Sequence, residues 1–109
     1  MTEHDVPHAI REFIDATHAG DTERFVAAFT DDAYLNDWGR EFHGHRGVRS
    51  WDSTDNIGKQ AHFEILSVEA DEAAGSFNLT VQVTGNGFNG IGPLNFIVRD
   101  GRIASLRIS

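Results

Sequence analysis

The sequence contains no cysteine, and only nine of its 109 residues are Lys or Arg, against 17 Asp and Glu. Without cysteine there are no disulfides, no thiolate metal ligands and no cysteine nucleophile. The formal net charge is −8, and the few basic residues are scattered along the chain. Because nucleic acids and anionic membranes attract clustered positive charge, we expect neither as a partner.

Long hydrophobic runs are also missing, since no apolar stretch approaches the ~20 residues that a membrane span requires. Residues 1–5 are polar and acidic, unlike the basic and apolar start of a signal peptide. These features predict a cytoplasmic location. No phosphate loop, dinucleotide fingerprint, nucleophile elbow or His-Glu-x-x-His motif occurs, and His43 and His45 have no obvious third ligand partner. We therefore expect no cofactor and no metal.

The residues that are abundant favour one folded domain. Hydrophobic residues make up 39% of the chain and aromatic residues 10%, with eight phenylalanines. A chain of 109 residues has room for one core, so we predict a single domain over residues 1–109. Phenylalanine is bulky and makes no polar demand, which suits a core or an apolar pocket wall.

The first half of the chain has helical periodicity and the second half alternates with period two. Helices are predicted over 6–19, from an N-cap at Asp21, and over 48–55, and a short strand is predicted over 33–38. Residues 39–47 are expected to form a polar connection, in which residues 41–43 can form a short strand. Later strands are predicted from 63 and over 77–84, 88–99 and 102–108, with a bulge after Ile65 and hairpins at 86–87 and 100–101. Pro93 cannot donate a ladder hydrogen bond, so an edge, bend or bulge is expected there.

A long sheet with bulges and glycines bends, and helices on its concave side leave an open end that forms a natural pocket. The predicted fold class is α+β. It is a cone-shaped, curved antiparallel sheet with about three N-terminal helices on its concave face.

This order of elements resembles the nuclear transport factor 2-like superfamily, in its SnoaL-like and ketosteroid-isomerase-like branches. The similarity lies in the stretches 10–14, 19–21, 27–33 and 42–49 and covers nearly the whole chain. The resemblance implies a cystatin-like roll and a homodimer. It leaves the chemistry open, because the superfamily holds isomerases, dehydratases, epoxide hydrolases, polyketide cyclases and non-enzymatic modules.

The resemblance to ketosteroid isomerases implies roles for three residues. Asp37, at the end of a strand that follows Asp-Asp-Ala, matches their general base. Asn95, after Pro-Leu, replaces a protonated aspartate donor, and Phe13 replaces a tyrosine donor. Because one lost oxyanion donor typically slows a reaction by a factor on the order of 10²–10³, efficient steroid isomerisation is not expected.

We expect a set of mostly apolar residues to contact the substrate: Phe13, Leu35, Trp51, Asp52, Phe63, Phe88 and Ile97. Structural roles stay open for all of them, because phenylalanines also fill cores, Asn95 can bond nearby backbone, and Asp37 and Asp52 can be solvated.

The leading hypothesis is a pocket protein for a small apolar or carbonyl-containing molecule, used for cofactor-free acid–base chemistry of the isomerase, dehydratase or cyclase type. The alternative is a non-catalytic module for ligand binding or dimerisation through a polar sheet face, which carries Asn78, Thr80, Gln82 and Thr84. An enzyme requires Asp37 inside an apolar cavity. A surface position for Asp37, or an ion pair with arginine, would oppose catalysis.

Overall fold

A computed structural model describes residues 6–109, which form three α-helices and six β-strands. The helices are α1 (His8–Ala19), α2 (Thr22–Ala27) and α3 (Gly44–Asp55). The strands are β1 (Phe29–Asp37), β2 (Arg40–His43), β3 (His62–Asp71), β4 (Ser76–Thr84), β5 (Gly90–Arg99) and β6 (Arg102–Ile108). Single-turn 3₁₀ helices occupy Ile57–Lys59 and Glu72–Ala74. Among the described residues, no helix combines the length and the apolarity needed to span a membrane.

The strands form one curved, unclosed sheet in the order β2-β1-β6-β5-β4-β3. The α+β class and the helix-covered curved sheet are confirmed, but the expectation of an antiparallel sheet is only partly right. β1 and β6 run parallel, while the other neighbouring pairs are antiparallel. Local alternation does not reveal which strands pair across some 70 residues, so the return of β6 to the side of β1 was not predictable from it.

Two irregularities predicted for the strands are present. The β3–β4 register shifts between Ile65 and Ser67, where a bulge was expected. Pro93 pairs with Thr80 on β4, whereas pairing between β5 and β6 ends at Leu94. At Pro93 the strand therefore has a neighbour on one side only, which accommodates a residue without an N–H donor.

The predicted bounds are least accurate around β1 and α3. β1 begins at Phe29 rather than residue 33, because Phe29 pairs with Ile103 on β6. The register then shifts, and pairing resumes at Tyr34, so the strand includes Asp31 and Asp32 although aspartate is a poor strand former. α3 begins at Gly44 rather than 48, although glycine and histidine are weak helix formers. Tertiary context overrides local preference in both places. The predicted cap of α2 is confirmed, since Asp21 Oδ1 accepts the Arg24 N–H at 3.1 Å.

The core lies between α1 and the concave face of the sheet. Phe13 is fully buried there, and its ring lies 5.1 to 6.2 Å from the rings of Phe25, Phe29, Phe63 and Phe96. These distances and tilted or edge-on geometries are typical of favourable aromatic packing. The aromatic cluster fixes α1 and α2 against the sheet and leaves one end of the concave face uncovered.

Candidate functional site

A cavity of about 410 Å³ lies at this uncovered end of the sheet, and we call it the sheet cavity. Its volume falls within the range typical of small-molecule sites. Most of its wall is apolar and comes from β3, β4, β5, the end of β6 and the flanking connections: Ala61, Phe63, Val81, Val83, Phe88, Ile91, Pro93, Leu94 and Ile108. Its polar lining comes mainly from the β1–β2 hairpin and α3 with the turn after it: Asp37, Arg40, Thr54, Asp55 and Lys59.

Arg40 joins two carboxylates in this lining, and we call Asp37, Arg40 and Asp55 the Arg40 cluster. Its Nη2 donates to Asp37 Oδ2 at 2.6 Å and to Asp55 Oδ2 at 2.5 Å. The guanidinium carbon also lies 5.7 Å from the centre of the Phe42 ring, a cation–π distance. Two carboxylates and one aromatic ring therefore fix the position of the Arg40 guanidinium.

These contacts shift the pKa values of Asp55 and Arg40. Burial opposes ionisation of Asp55, but hydrogen bonds from Arg40 and Thr54 outweigh it and lower the pKa of that carboxyl. The hydrogen bond to Asp55 raises the pKa of Arg40. Asp55 therefore keeps its negative charge, and Arg40 its positive charge, at neutral pH.

Two local features of the backbone assemble the cluster. The two-residue turn 38–39 places Asp37 directly opposite Arg40 in the β1–β2 ladder. On α3, Trp51 precedes Asp55 by one turn, so both side chains point to the same side. The indole Nε1 of Trp51 donates to Asp37 Oδ2 at 2.9 Å. The hairpin and the helix are thereby tied together along the cavity wall.

Asp37 lies on the cavity, as predicted, but its surroundings differ from those expected of an isolated base. Its side chain is 14% exposed and forms an ion pair with Arg40. A general base was expected to lie in an apolar setting without an arginine beside it, and Asp37 does not. The arrangement is a charge cluster fixed in the polar part of the cavity lining.

Asn95 and Ile97 do not reach the cavity. Leu94 and Phe96 are buried, so the intervening Asn95 and the following Ile97 point to the outer face of the sheet, where both are exposed. The expectation that Asn95 acts as a donor beside Asp37 is therefore wrong. The expectation came from the similarity of Pro-Leu-Asn to a ketosteroid-isomerase motif. The alternation of side chains along β5 instead places Asn95 on the outer face.

Three further predicted contact residues belong to the interior instead of the cavity. Phe13 and Leu35 are fully buried in the core and do not line the cavity. Asp52 is fully buried too, where it accepts hydrogen bonds from Thr22 Oγ1 at 3.0 Å and Asn56 Nδ2 at 2.9 Å. Asp52 joins α2 to α3 because a buried carboxylate requires donors. Trp51, Phe63 and Phe88 do line the cavity.

Arg40 is the main residue that sequence reasoning missed, along with Lys59. A signal was available for Arg40. The sequence Asp-Trp-Gly-Arg spans the end of the predicted strand 33–38 and the start of the connection after it, and a two-residue turn there brings its first and last side chains together. In residues 6–109 no three carboxylate or imidazole groups are arranged to hold a metal. His45 Nε2 instead donates to the Phe29 carbonyl at 2.8 Å.

The chain belongs to the SnoaL-like domain family, whose model matches residues 10–106. Among solved structures, it is similar to a candidate polyketide cyclase from Sinorhizobium meliloti, with 25% identity over 96% of both chains and a TM-score of 0.86. No curated protein sequence matches the chain.

Two mycobacterial structures share the fold. The Δ5-3-ketosteroid isomerase from a Mycobacterium species has 17% identity and a TM-score of 0.79, over 93% of this chain and 88% of the isomerase. A Mycobacterium tuberculosis protein in complex with estradiol-17β-hemisuccinate has 16% identity and a TM-score of 0.81, over 92% and 88% of the two chains.

Proposed function

We propose that this chain binds a small, largely apolar molecule in the sheet cavity, with the polar end of that molecule at the Arg40 cluster. The observation that carries the proposal is the division of the cavity lining. One part is a wall of aliphatic and aromatic side chains, and the other is a fixed set of hydrogen-bonding groups. Sites for organic ligands combine an apolar wall with a few placed polar groups in this way.

The charges in the lining favour a ligand without net charge. Asp37 and Asp55 contribute two negative charges, and Arg40 and Lys59 contribute two positive charges. The four charges sum to zero, so an ionised ligand would lose its hydration without gaining a matching counter-charge. A ring-containing alcohol or ketone satisfies both the wall and the cluster. The steroid ring system of the bound estradiol ester and the ketosteroid isomerase among the structural neighbours support a ring-containing ligand.

The proposal assigns no proton transfer to Asp37, because Arg40 occupies the carboxylate oxygen that also accepts the Trp51 indole N–H. Acid–base catalysis of the isomerase, dehydratase or cyclase type is the alternative. It would use Asp37 Oδ1, since Arg40 and Trp51 both donate to Oδ2.

Gly92 offers a sharp test of binding. Gly92 lines the cavity, and a Cβ built on it meets no atom within 4 Å. A Gly92→Leu variant should therefore fill ligand space without a clash. Asn95→Leu is the matched control, because it adds a leucine to the same strand on the exposed outer face. Both variants and the parent chain are titrated with Nile red, a neutral dye, and with estradiol, by fluorescence and calorimetry.

We expect the parent chain and Asn95→Leu to bind with equal affinity and Gly92→Leu to bind at least tenfold more weakly. The melting temperature of Gly92→Leu should stay level or rise, because a strand glycine is destabilising by roughly 0.5–1 kcal/mol relative to alanine. Equal binding by Gly92→Leu would show that the ligand lies elsewhere. No binding of either probe by the parent chain would contradict the proposed function.

We also propose a homodimer that pairs through the outer sheet face. This face carries the polar side chains of Asn78, Thr80 and Gln82 and the exposed side chain of Ile97. A second copy would cover the isoleucine and form hydrogen bonds with the polar groups around it. Light scattering after gel filtration should give twice the mass of one chain for the parent protein. The Ile97→Glu variant should have the mass of a single chain.

A further inference from the structure

The mouth of the sheet cavity carries the most exposed large apolar side chains of the described residues. Trp38 is 75% exposed, and Phe88 and Ile91 are each 61% exposed. All three line the cavity. Trp38 is on the turn between β1 and β2, whereas Phe88 and Ile91 lie in and just after the connection from β4 to β5. Different parts of the chain thus place apolar groups around one opening.

The turn that carries Trp38 is an unfavourable place for a bulky residue. Trp38 and Gly39 both have positive φ angles, 55° and 90°, as in the hairpin turn that favours Asn-Gly or Asp-Gly. The chain contains the same turn a second time between β5 and β6. There Asp100 and Gly101 have φ angles of 54° and 78°. The second turn uses the residue that the backbone favours, while the first has tryptophan in a conformation rare for large side chains.

Neither core packing nor turn geometry accounts for this tryptophan. Its exposure excludes a core role, and Asp100 shows what the backbone alone would favour. The turn is also firmly anchored. The Trp38 N–H donates to the Ile108 carbonyl at 3.0 Å, and the Asp37–Arg40 ion pair closes the hairpin directly beneath it. The indole is therefore held at the cavity mouth by a fixed backbone.

We propose that Trp38 is a ligand-binding residue whose indole covers the part of the bound molecule that projects from the cavity. Phe88 and Ile91 contact the same projecting part. This inference rests on the proposed function and narrows its ligand class to flat, ring-containing molecules that are longer than the cavity. Backbone strain retained at a binding site is a known pattern in proteins, because selection for the ligand offsets it.

Reciprocal variants of the two turns test this inference. Trp38→Asn gives the first turn a favoured residue and removes the indole, whereas Asp100→Trp places an indole on the equivalent turn, which does not line the cavity. Trp38→Phe retains an aromatic face. Nile red and estradiol serve as probes, with affinity from fluorescence titration, dissociation by stopped flow and stability by thermal unfolding. Labelling with 5-fluorotryptophan adds a direct signal, since Trp38 and Trp51 are the two tryptophans of the chain.

We expect Trp38→Asn to bind at least tenfold more weakly, through faster dissociation, and to melt at a higher temperature than the parent chain. Trp38→Phe should recover most of the affinity. Asp100→Trp should bind normally and melt at a lower temperature. The fluorine resonance that disappears in Trp38→Asn should shift when the parent chain binds the probe.

Three results would overturn the inference. If Trp38→Asn binds normally while Gly92→Leu does not, Trp38 is not a ligand contact, and the proposed function stands. If the parent chain binds neither probe, the proposed function is wrong and this inference falls with it. If Trp38→Asn keeps full affinity but halves the mass in solution, the mouth is instead a contact between copies of the chain.

Discussion

Phe13 is enclosed by four other phenylalanine rings, and this setting determines what a substitution there can do. Phe13→Tyr would restore the residue type of ketosteroid isomerases at this position. We expect it to destabilise the fold by about 1–3 kcal/mol, because its hydroxyl would enter an apolar core without a partner. It should not create a donor for the ligand, because Phe13 does not line the cavity.

Urea unfolding at neutral pH measures this change, and Phe88→Tyr is the control because the Phe88 ring is largely exposed. The control should fall within about 0.5 kcal/mol of the parent chain, as surface substitutions usually do. A stable Phe13→Tyr chain with tighter estradiol binding would show that the ring reaches the ligand after all.

Single residues were predictable where one local rule decides their position. Asp21 caps α2 as predicted, and Asp37, Phe63 and Phe88 line the cavity. Asn95 was misplaced because similarity of a short motif does not fix strand parity. Arg40 was missed because its role depends on Asp55, fifteen positions later, which α3 brings alongside the hairpin.

At the scale of elements, the end of α1 is joined to the start of β3 by a histidine. The Phe63 N–H donates to His18 Nε2 at 3.0 Å, so this nitrogen must be unprotonated. The His18 and His62 rings stack with centroids 3.9 Å apart. Burial, and then the neighbouring His62, lower the pKa of His18 below its ordinary value of 6.5, while Asp15 opposes and Arg11 adds to the shift.

This contact should make folding stability depend on pH. The unfolded chain binds a proton at His18 more readily than the folded chain, so stability is lost as the pH falls below 6.5 towards the lowered pKa. We expect the melting temperature to drop between pH 7 and pH 5. His18→Gln retains an acceptor that does not titrate in this range and should flatten that slope.

His8→Gln is the matched control, because His8 lies on the same helix and is exposed. It should keep the slope of the parent chain between pH 7 and pH 5. An unchanged slope in His18→Gln would mean that other groups dominate in this interval.

Elements were predictable to the extent that their signals are local. The alternation of β4, the bulge in β3 and the hairpin turn at 100–101 follow from neighbouring residues. At 86–87 the two-residue turn was wrong, because β4 and β5 are joined by the longer connection 85–89. The parallel partnership of β1 with β6 and the early start of β1 do not, since both depend on strands that are distant in the sequence.

At the scale of the whole molecule, β6 connects the two halves of the chain. It pairs with β1 on one side and β5 on the other, so the sheet is complete only when the last strand is in place. The helices pack on the sheet that this strand unites. If the chain is a single domain, both halves should unfold together in one cooperative transition.

Leu106→Ala tests that statement at the junction. Leu106 is fully buried and lies opposite Leu35 on β1 and Phe96 on β5. Truncation of a buried leucine typically costs about 2–5 kcal/mol, which for a chain of this size corresponds to about 4 °C or more in melting temperature per kcal/mol. Because both tryptophans and all three helices lie in the first half, tryptophan fluorescence reports on that half, whereas amide hydrogen exchange of β3, β4 and β5 reports on the second. Both measurements should lose the same free energy of unfolding in Leu106→Ala and scarcely change in Arg107→Ala, whose side chain is exposed on the same strand. A fluorescence transition that shifts in Leu106→Ala without a matching loss of exchange protection in β3 to β5 would show that the two halves unfold independently.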